Sequence, residues 1–190
     1  VWMEAAAELT PGHPHIVSLE SRHGNLEGGG EVDLGELVRQ ALRMRPDRLV
    51  VGECRGAEVR ELLTAMNTGH TGGGGTIHAN TATAVPARLT ALGALAGMGQ
   101  DAVRLQAASA LYVVVHVERS SRGRHAPCGG AVHACPGWLT VVPALETTRG
   151  QPVACPAATA LTVWLGLGPA AVGPGPARAR APAVVAGGAL

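Results

Sequence analysis

Lysine and phenylalanine are both missing from the 190 residues: all 15 basic side chains are arginines, and three Trp and one Tyr are the only aromatics. The first absence excludes any mechanism that needs a lysine of this chain, whether a complete phosphate-loop lysine, a Schiff base or a lysine general base. The second leaves the core to Leu, Val and Ala. Charge is sparse as well. Only 15% of residues carry it and the net is +1, so no field of one sign draws the chain to nucleic acid. Four cysteines (Cys54, Cys128, Cys135, Cys155) are too few and too scattered for a disulfide-dense secreted module. Glu4 and Glu8 interrupt the opening residues, and no basic stretch precedes an apolar one, so nothing there reads as a signal peptide. The chain opens on Val1, which reads as an excerpt or an alternative start. The uncharged stretch 150–177 holds Pro152, Pro156, Pro169, Pro174 and Pro176, which argues against a membrane helix. The expected location is the cytoplasm.

Two composition regimes meet near residue 120. The first, residues 1–120, alternates strand and helix patterns. His15–Leu19 reads as a short strand and 21–30 as a polar, glycine-rich connection. Asp33 is placed as a helix cap, with Glu36 completing a capping box. Leu34, Leu37, Val38, Ala41 and Leu42 then share one helical face until Pro46 stops the helix. Arg48–Val51 reads as a buried strand. A helix from about Ala57 breaks at Thr68-Gly69; Gly72–Gly75 reads as a loop and Thr76–His78 as a strand. Helices over about 83–98 and 101–110 precede a strong strand at Leu111–Val117. Apolar strands separated by helices predict an α/β fold, a largely parallel sheet covered on both faces. The second regime, residues 121–190, is rich in Gly, Pro and Ala and is expected to be poorly structured, above all 173–190.

Ligands of such sheets bind at the carboxyl ends of the strands, which makes Glu53 the most informative residue. An acid directly after an apolar strand, Leu49-Val-Val-Gly-Glu53, is the Walker B arrangement, where a carboxylate can hold the water shell of Mg²⁺ or polarise an attacking water. An acid that merely ends a strand in solvent is the plainer reading. His70 and His78 bracket the glycine loop, whose N–H groups could form an anion nest, with a strand-end histidine donating to a terminal phosphate. A turn with two surface histidines is the alternative. Gly69-x₄-Gly74-Gly75-Thr76 imitates a phosphate-binding loop, but a helix precedes it and a strand follows, the reverse of the required context.

Two boxes at this separation carry a specific resemblance. Arg43-Met-Arg-Pro-Asp-Arg-Leu-Val-Val-Gly-Glu53-Cys-Arg55-Gly56 and Asn67-Thr-Gly-His70-x-Gly-x-Gly-x-Thr76-Ile-His78-Ala-Asn80 closely resemble the type II/type IV secretion ATPase family, nearest its tight-adherence (Flp) pilus-assembly branch. Ala87-Arg-Leu89 and Val113–His116 agree, and the likeness covers about residues 1–118. It implies a RecA-like ATPase core working as a hexameric ring at the inner face of the cell membrane, coupling ATP and Mg²⁺ to pilus assembly or protein export through membrane platform proteins. By the same resemblance Glu53 is the Walker B acid and His70 and His78 belong to the histidine box. Arg55 completes Gly-Glu-x-Arg, Glu4 is the glutamate of an acidic box, and Arg22 faces nucleotide or a neighbouring subunit.

The departures set the remaining expectations. Ala5 stands where the family has aspartate, and the Walker A segment is missing, so the implied fold is a partial RecA-like sheet. Without that loop and its lysine the chain alone is expected to bind ATP very weakly and hydrolyse it negligibly. A non-catalytic remnant or interaction module is therefore an alternative. So is zinc binding at residues 125–135, where His125, Cys128, His133 and Cys135 offer four ligands without a standard spacing. Cys54 is assigned no chemistry.

Overall fold

The computed structural model describes residues 1–7, 12–25, 30–70, 72–119, 125–135, 138–148, 151–155, 157 and 183–187. Their elements are β1 (Trp2–Glu4), β2 (Ser18–Glu20), α1 (Leu34–Arg43), β3 (Val50–Val51), α2 (Val59–Asn67) and β4 (Gly74–His78). A 3₁₀ turn at Ala82–Ala84 leads into α3 (Val85–Leu95), then α4 (Gln100–Ala110) and β5 (Val113–Arg119). Four strands follow: β6 (His125–Cys135), β7 (Trp138–Thr148), β8 (Gln151–Ala154) and β9 (Ala183–Gly187).

Local chemistry accounts for the first helix. The Asp33 carboxylate accepts the Glu36 amide at 2.7 Å, satisfying one of the free N–H groups of the opening turn. The reciprocal half of the capping box is absent, because the Glu36 carboxylate accepts instead from Arg39 and Gln40. Leu34, Leu37, Val38 and Ala41 are buried, as the spacing predicts. Thr81 caps the turn before α3, its hydroxyl accepting the Ala84 amide at 3.1 Å.

Among the described residues the strands form one sheet in the order β2-β1-β3-β4-β9-β5-β6-β7-β8. The first six in that order run parallel, and β5 through β8 continue as an antiparallel meander. The α/β class and the largely parallel sheet thus stand as expected. Helix α1 packs on α2, α2 on α4, and α4 on α3. Met3, Val51, Leu62, Leu63, Leu89, Leu92, Val103 and Val114 fill the core, which needs no phenylalanine. No helix among the described residues is long and apolar enough to cross a membrane.

Three segments depart from the sequence reading. Trp2–Glu4 is a strand, although its pattern gave no periodicity to read. Gly74 and Gly75 belong to β4, not to a loop: a Cβ at Gly75 would lie 2.9 Å from a Leu62 methyl, so the bare backbone lets α2 press onto the sheet. And the region after residue 120, expected to be poorly structured, holds four strands among its described residues. Its ladders come from tertiary neighbours, β6 pairing along β5 from Val113↔Ala131 to Arg119↔His125.

Candidate functional site

The parallel strands set the edge on which chemistry can gather. β1 and β3 pair Trp2 with Val50 and Met3 with Val51, and the Gly52 amide donates to the Met3 carbonyl at 2.6 Å. Glu4 therefore lies level with Gly52, and Glu53 is the next residue out. On the other side of β3, the Cys54 amide donates to the Thr76 carbonyl at 2.8 Å and the Thr76 hydroxyl donates to the Gly52 carbonyl. These ties fix the chain leaving β3 against the end of β4, where His78 stands. The result is a close approach of imidazole and carboxylate: His78 Nε2 lies 2.8 Å from Glu53 Oε1.

Arg55 closes on the other carboxylate oxygen, its Nη2 2.5 Å from Glu53 Oε2. The loop that carries it is held from below, since Glu58 Oε1 accepts the amides of Arg55 at 2.6 Å and Gly56 at 2.8 Å. The Arg55 guanidinium, and after it His78, hold the Glu53 carboxyl below the usual carboxylate range. The Glu53 side chain is 23% exposed, so the acid is ionised, anchored and still open to solvent. Cys54 is buried, and desolvation pushes its thiol well up, which leaves it no nucleophilic role.

Glu4, 8% exposed, is one of two buried charged or polar residues described in the core, with His116. Its side chain crosses the face of Gly52, beside the Glu53 carboxylate's own loop. The structure thus brings Glu53, His78 and Arg55 together and sets Glu4 alongside.

Two expected residues stand apart from this cluster, His70 at the opposite edge and Arg22 at the same edge two strands over. His70 precedes β4, and so sits at the amino end of that strand, across the sheet from His78. Gly73 lies at the same end, where a Cβ would come 2.5 Å from the Leu49 carbonyl oxygen. A loop that enters a strand stands at the opposite edge from the residue that ends it, so the described loop residues lie away from His78. Arg22 follows β2, the outermost strand, and its Nε donates to the Gly30 carbonyl at 2.6 Å. The ligands considered for zinc, His125, Cys128, His133 and Cys135, lie along β6, and their side chains are outside the described residues.

Sequence reasoning placed Arg88 within a motif but gave it no part in the site. A cavity of about 420 Å³ opens at the His78 edge, lined among the described residues by His78, Ala79, Asn80, Ala84 and Arg88. Arg88 Nε is buried and has no hydrogen-bond partner among the described residues. Its signals were the Ala87-Arg-Leu89 likeness and its position, four residues after the turn at Ala82–Ala84.

Residues 1–160 match the family model described as Type II/IV secretion system protein. The chain belongs to the type II/IV secretion system protein family. Similar relatives include a Mycobacterium tuberculosis protein named as a conjugal transfer protein, 60% identical over 124 residues, which are 65% of this chain and 35% of that protein. The conjugal transfer protein TrbB of Rhizobium radiobacter is 38% identical over 124 residues, 65% of this chain and 36% of its own. This secretion-family chain thus spans about a third of the length of those relatives. Its fold is similar to that of the VirB11 ATPase from the Brucella suis type IV secretion system, solved with sulphate. The TM-score is 0.55 at 22% identity, covering 74% of this chain and 37% of that one.

Proposed function

We propose that this secretion-family chain supplies the catalytic edge of an ATPase subunit that couples nucleotide hydrolysis to secretion or pilus assembly. The observation that carries the reading is the Glu53–His78 pair, 2.8 Å apart at the carboxyl end of a parallel sheet, where such folds receive ligands. The names of the relatives support the conjugal-transfer and type IV secretion setting, and the Flp-type pilus branch remains the finer reading of the motifs.

In this proposal Glu53 is the Walker B acid. Its anchoring by Arg55 keeps it ionised, and Glu4 provides a second carboxylate one strand away. One or two carboxylates beside substrate phosphates is the donor set Mg²⁺ takes, so the residues present fit the ion. When bound, Mg²⁺ would neutralise phosphate charge; Glu53 would hold its water shell, and Glu4 would orient and accept a proton from the attacking water. His78 Nε2, which faces Glu53 here, would turn its N–H to a terminal phosphate when nucleotide binds. With no lysine in the 190 residues, the cationic partners are Arg55 and, in the cavity beside His78, Arg88. Arg22, at the same carboxyl edge but two strands over from Glu53, is assigned to nucleotide or to a neighbouring subunit of a hexameric ring at the inner face of the membrane, and His70, at the opposite edge, to a neighbouring subunit. These residues alone lack a lysine to bridge the β- and γ-phosphates, so their own turnover is negligible and binding of Mg·ATP is weak.

The test is a titration of the chain with millimolar Mg·ATP, read by NMR at the His78 ring and the Thr76–His78 amides. Perturbation centred on His78, and diminished in Glu53→Gln, is the expected result. No perturbation, or one centred away from the β3–β4 edge, overturns the assignment of the site.

A further inference from the structure

The chain leaving β3 carries two charged groups of the candidate site, Glu53 and Arg55, and its backbone is tied at successive points. The Gly52 amide donates to the Met3 carbonyl at 2.6 Å and the Cys54 amide to the Thr76 carbonyl at 2.8 Å, so neighbouring strands hold residues 52 and 54. Arg55 and Gly56 come next, and a side chain takes their amides: Glu58 Oε1 accepts both, at 2.6 and 2.8 Å. The ionisation of the Cys54 thiol is suppressed first by desolvation and then by the Glu58 carboxylate, which stands beside it. One carboxylate thus bears on residues 54–56.

A glutamate that reaches back three residues to a backbone N–H is half of a capping box, and in that way Glu58 serves the opening turn of α2. The Val59 and Arg60 amides of that turn donate to the Gly56 and Ala57 carbonyls. A cap needs only a free amide, whatever residue owns it. Here the amide belongs to Arg55, whose Nη2 stands 2.5 Å from Glu53 Oε2. The Arg55 side chain is 72% exposed, so little packing holds its guanidinium. An exposed pair of this kind gains little by itself, because ordering a long side chain in water opposes the attraction. What can be fixed in advance is the backbone from which the side chain starts, and Glu58 fixes it. Gly56 leaves the room: a Cβ there would lie 3.1 Å from Glu58 Oε2.

We propose that Glu58 is a positioning residue of the candidate site: by holding the amides of Arg55 and Gly56 it sets the Arg55 guanidinium on Glu53 Oε2, and so leaves Oε1 turned to His78. Its action on the acid runs through Arg55. The inference rests on the reading of Glu53 as the acid of this site. Its test uses no nucleotide, so failure there strikes the role of Glu58 alone, whereas the Mg·ATP titration strikes the site.

The experiment follows the Arg55 guanidinium of the full chain by NMR, as the rate of rotation about its Cζ–Nε bond, which the contact with Glu53 slows. Glu53→Ala sets the rate of the released side chain. In Glu58→Ala the Arg55 rate is expected to rise about threefold or more, towards that limit. Glu58→Gln keeps an oxygen that can accept the same amides and should restore the slow rate. Glu61→Ala, which removes the acid in the first turn of α2 and its contact with Arg39, should leave the rate slow. An unchanged rate in Glu58→Ala overturns the proposal. So does a Glu58→Gln rate as fast as that of Glu58→Ala, which makes charge the cause, and so does an equal rise in Glu61→Ala, which makes fraying of α2 the cause. Where Glu58→Ala does not fold, Glu58→Asp decides: it keeps the charge and draws the acceptor back from the amides. A slow Arg55 in that variant overturns the proposal.

Discussion

The side chain of Glu4 occupies the space in front of Gly52: a Cβ added there would lie 2.5 Å from Glu4 Cγ and 3.1 Å from the Met3 carbonyl oxygen. Glycine at 52 is thus a condition for holding a buried carboxylate beside Glu53. Gly52→Ala is expected to destabilise the chain by about 1–3 kcal/mol, the usual cost of overpacking. In urea denaturation the double variant Glu4→Ala/Gly52→Ala should recover most of the loss that Gly52→Ala adds, because the clash is with that side chain. Equal losses from Gly52→Ala in the two backgrounds would sink the explanation.

Glu53 makes stability depend on pH in a defined direction. Its folded pKa is depressed, first by Arg55 and then by His78, below the ordinary glutamate value of about 4.3. The pairing therefore contributes stability in full above that value and loses it as pH falls through the lower, folded pKa. Glu53→Gln lacks this contribution. Urea midpoints of the two proteins should differ most at neutral pH and converge in acid; a gap that widens on acidification contradicts the ion-pair account.

The cap on α1 gives a local test. Asp33 accepts the Glu36 amide, whereas Glu36 does not return the bond. Asp33→Ala should cost about 1 kcal/mol and Asp33→Asn little, since asparagine caps nearly as well. A comparable loss in Asp33→Asn would point to charge rather than to the capping hydrogen bond.

Burial at Cys54 predicts chemical silence. The thiol is 1% exposed and its ionisation is suppressed by desolvation, so alkylating reagents should leave it untouched in the native chain and modify it after denaturation. Mass-spectrometric mapping distinguishes it from the other three cysteines. Rapid native labelling at Cys54 would show that the β3 exit is open.

Much of the architecture was legible. The 3.6-residue spacing of Leu34, Leu37, Val38 and Ala41 found α1 because burial on one face of a helix repeats with the helix itself. The order Glu53, Arg55 and His78 pointed to a shared edge because parallel strands end together. Trp2–Glu4 was less legible, since three residues cannot show a period. The positions of His70 and His78 relative to one another were not legible, because the strand between them carries two histidines of one motif to opposite ends.

From its residues alone, this chain specified its α/β class, its family and the acid and imidazole that meet. Those follow from local periodicity and from side-chain types at short spacing. Only the tertiary structure decided that Gly75 is strand, that Arg88 borders the His78 cavity and that Ala183–Gly187 lies between β4 and β5. A strand has no stability of its own: its hydrogen bonds are all made with neighbours, so where it lies is settled by the strands it pairs with.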